Sequence, residues 1–579
     1  MLIVVAVYVL ATLVTTGYFM ADTADYVDSI VAHATGRNYD FWEFGHLFWR
    51  PLGWLVFVVC RPIIKVVAGD GFRPGISFVL VAINWLAGLI SVCALVGILK
   101  RLCARSWVVI GVAVAFIFSH GFLNFTQTGS SYIPGLSLLL LGFYVLLRGS
   151  HGRDLQTAVL AALALAGAVC LWFPYVLALP AAVVSPLLFS DRLRWRLVIA
   201  TGIATSVFLA LAYGSVVVGV LGIHSVAGFK AWMSAASHDT DIRGLNRMVF
   251  GFARSFIYMG NDGMLFKRYL LHDPFNPVTA FDLLRLSLWK LALFYLFVAS
   301  VFVGLLQSAK SRRILVLLVL NVGPVILFAI SFDGGAIERY LPLYPVLFLS
   351  LCVLLCSDRS WIVTKYVAIA FMAAMVVTNL VATAKPVQDR KQQASANRIN
   401  DVVARLKPNS RILAVNWQDD LINFSRSYPF HPLNRAGDLR IGALVTPGTT
   451  TTVDWRQGFA TQAEETWNRG GDMWVSQRAL SPRPLPDWNW AEGDEKRVSW
   501  ADFQKFFSQL ELGETVGGSD GFVLIPPTEK NREFLRTFQP PLRSESLSRK
   551  DAKVAKNAKA AKFPFAPLRF FASLREPTL

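Results

Sequence analysis

The sequence predicts a polytopic α-helical membrane protein of about eleven transmembrane helices with a small C-terminal extracytoplasmic α/β domain. Three observations predict it: an apolar composition, a succession of long apolar runs joined by short basic loops, and an abrupt change of character near residue 385. Of 579 residues, 54% are hydrophobic and 16% are charged, whereas soluble proteins carry roughly 25% charged residues. The formal net charge of +18 sits largely in short loops and a lysine-rich tail. Orientation in a bilayer explains such loops, so nucleic acid is not expected as a partner and membrane lipids are.

Residues 1 to 20 form an apolar run of membrane-crossing length. The run has no basic leader and exceeds a signal-peptide core, so it reads as an uncleaved first span. Further spans are expected at about 76–99, 107–125, 132–147, 155–173, 174–190, 197–222, 286–307, 314–332, 341–356 and 366–384, and the pair meeting at Phe173-Pro174 also reads as one broken helix. Residues 51 to 69 are apolar enough to insert, but Arg61, Pro62 and Lys65 interrupt them. A charge at the bilayer centre costs about 3 kcal/mol or more, so this segment is expected to lie in the interface.

Charge bias tests that count. With the N-terminus cytoplasmic, the inner connections are KRLCAR (100–105), RGSHGR (148–153), DRLRWR (191–196), AKSRR (309–313) and SDRSWIVTK (357–365), and all five are basic. This agrees with the positive-inside rule only if residues 51 to 69 do not cross. A transmembrane domain is thus expected over 1–384, with outer loops at 21–75, 223–285 and 332–340, in the cell (inner) membrane. Residues 385–545 alternate helix-like segments with the strand-like RILAVN, RIGALVT, DMWVSQ and GFVLIPP, the pattern of a small α/β domain. They carry no phosphate-binding glycine loop. Residues 546–579 are a low-complexity basic tail that is expected to be disordered.

All six cysteines, Cys60, Cys93, Cys103, Cys170, Cys352 and Cys356, lie in or beside apolar runs. Neither a disulfide framework nor a thiolate metal site is expected from them.

The first outer loop concentrates the chemistry. It gathers Asp22, Asp25, Asp28, Glu43, His46 and Arg50, with aromatic residues at the membrane surface. Asp22 and Asp25 are three apart, so a helix starting there puts both carboxylates on one face. Asp-Thr-Ala-Asp also reads as a helix N-terminus, where acids satisfy free N–H groups. A second cluster, FDGGAIERYLPLYP, places Asp333, Glu338, Arg339 and Tyr340 at the mouth of a late span. A planar guanidinium there suits a phosphate, although Glu338 and Arg339 also read as a local ion pair. SAASHDTDIRG adds His238, Asp239 and Asp241 in the long outer loop as candidates for acceptor contact.

The order of a first span, an acidic D-x-x-D-Y loop, an interfacial helix opened by GHLFWRPL, many spans, an ERYLP segment and an extracytoplasmic α/β tail resembles the GT-C superfamily. The likeness is to bacterial relatives of protein O-mannosyltransferases and aminoarabinose transferases. It covers roughly residues 1 to 385 in architecture, but in motif only the first loop and ERYLP. The acids are spaced as Asp22 and Asp25 where the family usually has adjacent or alternate acids, and His46 stands apart from Pro51-Leu52. The resemblance implies a glycosyltransferase that moves a sugar from a polyprenyl-phosphate donor to a lipid, glycan or protein acceptor on the outer face.

On that resemblance Asp22 is the catalytic base with Asp25 as runner-up. Arg50 and Arg339 face the phosphate, and Glu43, His46, Glu338 and Tyr340 bind or position substrate. No cofactor is called for with certainty, and a divalent metal ion is left open. Two other classes compete: a transporter or lipid flippase, which would show repeats and mid-span ionisable groups, and a non-catalytic membrane scaffold.

Overall fold

The structure is a computed structural model. It describes residues 1–17, 22–34, 41–68, 72–148, 153–189, 194–235, 244–259, 269, 278–307, 309–332, 334–388, 404–407, 409–416, 440–445, 455–480, 500–516 and 521–538. Asp333, residues 238–241, most of the helix-like segment 395–407 and the tail 546–579 lie outside the described residues.

The N-terminal two thirds is a helical bundle. Its helices are α1 (Leu2–Val14), α2 (Thr23–Ala34), α3 (Trp49–Ala68), α4 (Phe72–Leu102), α5 (Ser106–Ile117), α6 (His120–Phe125), α7 (Tyr132–Arg148), α8 (Asp154–Leu171), α9 (Leu179–Phe189) and α10 (Trp195–Gly214). There follow α11 (Val226–Ala235), α12 (Gly244–Phe256), α13 (Ala280–Leu306), α14 (Ala309–Ser331), α15 (Tyr344–Cys356) and α16 (Ile362–Thr383). Among the described residues, eight helices are long and apolar enough to cross a bilayer, and four shorter apolar helices accompany them. The chain is a multi-pass membrane protein.

Contacts between loops sort the helix ends into two sets. At one end Thr16 N–H donates to Thr383 O at 3.0 Å, Gln127 Nε2 to Thr15 Oγ1 at 3.1 Å, Trp49 Nε1 to Gly129 O at 3.0 Å and Gly129 N–H to Thr23 Oγ1 at 2.9 Å. This is the site end. At the other, Arg105 pairs with Asp358 at 2.7 Å, Arg194 pairs with Asp154, Arg101 Nη1 reaches Leu147 O at 3.3 Å, and Trp361 N–H reaches Gln307 Oε1 at 2.7 Å. The basic connections of the sequence therefore meet one another at a basic end. The Arg194–Asp154 pair also decides the doubtful pair of spans. The first residue of α8 and a residue beyond α9 lie together, so the break at Trp172 is the turn of a hairpin and not a kink in one helix.

By length and composition α3 could cross a bilayer, but its contacts keep it at the site end. A Cβ on Gly53 would lie 2.6 Å from Leu80 of α4, whereas Phe57 and Ile64, nearly two turns apart, both lie against Gly75. A helix running alongside α4 would advance along it by as much as along itself; α3 instead crosses the first turns of α4 obliquely. Its buried stripe is Trp49, Arg50, Gly53, Phe57 and Ile64, while Leu55, Val59, Ile63, Val66 and Val67 are exposed, as suits lipid. Pro51 falls in the first turn of α3, where backbone N–H groups have no helical partner to lose.

Part of the long loop expected at 223–285 is helical. In α12 the residues Met248, Phe252 and Phe256 recur every fourth position and are buried in the main core, one stripe of an amphipathic helix.

The C-terminal region has its own core around Leu413, Phe459, Trp467, Val475, Phe503 and Ile525. Five strands, β1 (Arg411–Asn416), β2 (Arg440–Val445), β3 (Met473–Ser476), β4 (Thr515–Val516) and β5 (Phe522–Ile525), form one sheet in the order β2-β1-β3-β5-β4. β1 runs parallel to β2 and β3, whereas β5 is antiparallel to β3 and β4. Helices α17 (Trp455–Asn468), α18 (Trp500–Phe507) and α19 (Glu529–Arg536) accompany it.

The cysteine expectation is corrected. Cys103, just past the end of α4, is bonded to Cys356 at the end of α15, and the sulfurs of Cys103, Cys352 and Cys356 lie within 4.8 Å of one another. Sequence spacing shows Cys352 and Cys356 on one helix face, but Cys103 is 253 residues from Cys356 and is brought there only by helix packing.

Candidate functional site

Asp22 directly precedes α2, and its carbonyl accepts the Tyr26 N–H at 2.9 Å as the first helical bond. Its carboxylate Oδ2 accepts from the Tyr132 hydroxyl at 2.5 Å and from the Tyr26 hydroxyl at 3.3 Å. The Tyr26 hydroxyl also lies 3.1 Å from His46 Nε2, and His46 Nδ1 lies 2.7 Å from Ser131 Oγ. A polar chain Asp22–Tyr26–His46–Ser131 thus joins the first loop to the short segment before α7. Trp49 and Thr23 bond to Gly129 as above, and Asn84 Nδ2 donates to Ser130 O at 2.7 Å. These bonds fix the 128–132 backbone against α2, α3 and α4.

Electrostatics follow from that packing. Burial pushes the Tyr26 hydroxyl far above its ordinary value, with Asp22 and Glu43 adding to the rise, so it stays protonated and donates. Burial lowers the His46 pKa, outweighing the opposite pull of Glu43 and Asp22, so at neutral pH the ring is uncharged with one nitrogen donating and the other accepting. Two hydroxyl donors favour the ionised form of Asp22.

Arg50 is buried in the first turn of α3. One arm pairs with Glu43 at 2.5 Å, and the guanidinium stands 5.2 Å from the centre of the Tyr26 ring. Its Nε and Nη1 are buried and make no hydrogen bond among the described residues. Two unmade bonds on a buried cation are costly, and such a fork suits a planar or tetrahedral oxyanion. Asp25 sits in the first turn of α2, its carbonyl accepting from Ser29 Oγ at 2.7 Å. Asp28 is paired with Arg73.

The second cluster comes to the same end. ERYLP folds as a 3₁₀ turn, Ile337–Leu343, that leads into α15 and packs against α7 and the 3₁₀ turn Phe173–Ala178. Glu338 and Asp22 both act electrostatically on the Tyr132 hydroxyl, which brings the two clusters near one another. Arg339 lies 3.8 Å from Glu338 and 5.4 Å from the Phe328 ring centre. Tyr340 has a different place from the one expected. It is fully buried, stacks on Phe252 and donates to the carbonyls of Gly334 and Met248, which holds the loop in shape. Arg254 of α12 supports the same loop through Gly335 O at 3.2 Å.

Tyr132 and Ser131 were not singled out from the sequence. The signal was present: TQTGSSY is a polar segment between two apolar runs, on the same predicted side as the first loop.

Several donors that could serve a cation are engaged within the site. Both nitrogens of His46 are engaged, Glu43 is held by Arg50 and Asp22 Oδ2 is held by two hydroxyls. Among the described residues, the group with metal-ligand spacing is the sulfur cluster at the basic end. No step below is routed through a metal.

Fold and site together define a multi-pass helical membrane protein with an ionisable, aromatic-walled site at one end of its bundle. No family model and no curated protein matches the chain. Among solved structures it is similar to ArnT from Cupriavidus metallidurans bound to undecaprenyl phosphate, at 12% identity over 93% of this chain and 99% of that one, with a TM-score of 0.49. It is also similar to ArnT from Cupriavidus metallidurans in the apo state, at 12% identity over 93% and 98%, with a TM-score of 0.36. ArnT is a GT-C aminoarabinose transferase, of the superfamily that the sequence resembles. At these scores neither likeness bears on the chemistry of this chain.

Proposed function

We propose that this protein is a glycosyltransferase that moves a sugar from a polyprenyl-phosphate-linked donor to an acceptor hydroxyl at the outer face of the cell membrane. The observation that carries the proposal is the pairing of a carboxylate held by two tyrosines with a buried arginine whose Nε and Nη1 make no hydrogen bond among the described residues. One is a base in waiting and the other a cation for an oxyanion.

In the proposed step Asp22 takes the proton of the acceptor hydroxyl as its oxygen attacks the anomeric carbon. The bond from that carbon to the phosphate oxygen breaks, and the configuration inverts. Tyr132 and Tyr26 orient the carboxylate, and His46 with Ser131 passes the proton onward. Arg50 and Arg339 stabilise the departing phosphate, whose charge grows as the bond lengthens. Glu43 holds Arg50 in place, and Glu338 does the same for Arg339. Asp25 is second choice as base.

The test is sugar transfer from polyprenyl-phosphate donors by purified protein in detergent. Asp22→Asn keeps shape and hydrogen bonding but removes the base, so turnover should fall by about 10²–10⁴. Asparagine is an adequate helix cap; a near-wild-type Asp22→Asn protein would reduce Asp22 to that role. No transfer by the unmodified chain from any such donor would favour a transporter.

A further inference from the structure

Three sulfurs meet at the end of the bundle opposite the candidate site. Cys103 and Cys356 are bonded, with Cα atoms 6.2 Å apart, a spacing a disulfide spans without moving the backbone. Cys352 lies one helical turn before Cys356 on α15 and is fully buried, whereas Cys356 is half-buried. The Cys352 sulfur is within 4.8 Å of both others. Arg105, two residues beyond Cys103, pairs with Asp358, two residues beyond Cys356, beside the disulfide. Lys100, Arg101, Arg105 and Arg359 stand close to Cys103 and Cys356 in the sequence.

We propose that Cys103, Cys352 and Cys356 form a thiol–disulfide exchange site in which Cys103 is the shared sulfur, bonding to Cys356 and exchanging to Cys352. The co-reactant is a soluble disulfide. The half-buried Cys356 thiolate attacks one of its sulfurs, forming a mixed disulfide and releasing one thiol. Cys103 then attacks the Cys356 sulfur and releases the second thiol. Two electrons and two protons pass from the protein to the oxidant. In the exchange step Cys352 gives up its proton and attacks the Cys103 sulfur, and Cys356 leaves and takes up a proton, with no net oxidation. The bond ties α4 to α15, the helix whose other end continues from the turn bearing Glu338 and Arg339. None of these steps depends on the proposed transferase activity.

The experiment uses full-length protein in detergent, reduced and then exposed to oxidised glutathione. Free thiols are alkylated in denaturant, and linked peptides are mapped by mass spectrometry without reduction. In wild type the Cys103–Cys356 pair should account for most of Cys103, with Cys60 and Cys93 alkylated at least tenfold more than Cys103. In Cys356→Ser, Cys103 should be found bonded to Cys352; in Cys352→Ser the original pair should persist. With Cys103 and Cys352 both changed to serine, glutathione should accumulate on Cys356. Full alkylation of Cys103 in oxidised wild type would overturn the site, and this mapping needs no variant. A Cys356→Ser protein that elutes as wild type but shows no Cys103–Cys352 bond would overturn the exchange. Stoichiometric zinc that protects all three thiols from glutathione would overturn the redox assignment in favour of a metal site.

Discussion

Arg339 and His46 show how the candidate site divides its work. An ammonium in place of the Arg339 guanidinium keeps the charge but loses the planar fork. Arg339→Lys should therefore lower transfer about tenfold or more with the fold intact, measured in the polyprenyl-phosphate assay beside a thermal melt. His46 makes a prediction about stability. Its pKa is lowered in the folded protein by burial, so below about 6.5 the unfolded chain binds more protons than the folded one, and stability falls as pH drops. The slope is at most about 1.4 kcal/mol per pH unit for one group. Melting followed by tryptophan fluorescence between pH 8 and 5.5 should show a smaller loss in His46→Gln than in wild type. His33, also lowered by burial, contributes equally to both proteins and cancels in the comparison. Asp22, His46 and Arg50 were legible because one short loop carries them. Tyr132 and Ser131, which complete the network, are 110 residues from Asp22 and 85 from His46; the polar TQTGSSY segment marks their side of the membrane but not their partners in the first loop.

At the scale of elements, the turn bearing Glu338 and Arg339 is shaped by a close approach that only glycine permits. A Cβ on Gly251 of α12 would lie 1.8 Å from the Gly334 carbonyl oxygen. The obstacle is backbone, so either α12 or the 334–336 segment must shift. Gly251→Ala should cost about 1–3 kcal/mol, as other overpacked sites do, and should lower transfer along with melting temperature because it displaces the Tyr340 anchor. Unchanged melting would show that the loop yields freely. Element types were readable from hydropathy and the strand-like runs. The packing of α12 was not, since its stripe of Met248, Phe252 and Phe256 lies in a segment too polar overall to resemble a span. For α3, Arg61, Lys65 and the charge of loops far away point to a helix lying in the interface, and its oblique packing on the first turns of α4 accords with that, although by length and composition alone it could also cross.

For the whole molecule, sidedness is proposed from two observations. Five basic connections alternate along the sequence with apolar spans, and the structure gathers Arg101, Arg105, Arg194 and Gln307 with their partners at one end. The end of α1, the 127–131 segment and the end of α16 meet at the other. Positive charge resists translocation, so the basic end is proposed as cytoplasmic and the site end as outer. The C-terminal domain follows α16, whose last residues meet Thr15 and Thr16 at the site end, and is proposed as outer as well. A reporter active only in the cytoplasm should work when fused at residue 150 and fail at residue 450, and one active only outside should do the reverse. The result hinges on α3. If Trp49–Ala68 crossed the membrane, the spans from α4 onward would be inverted, residue 450 would turn cytoplasmic, and Arg339 would be parted from Asp22 by the bilayer. Equal reporter signals at 150 and 450 would exclude both topologies, whereas opposite signals of the predicted sign put the carboxylate and both arginines on the face where a polyprenyl-phosphate sugar would be used.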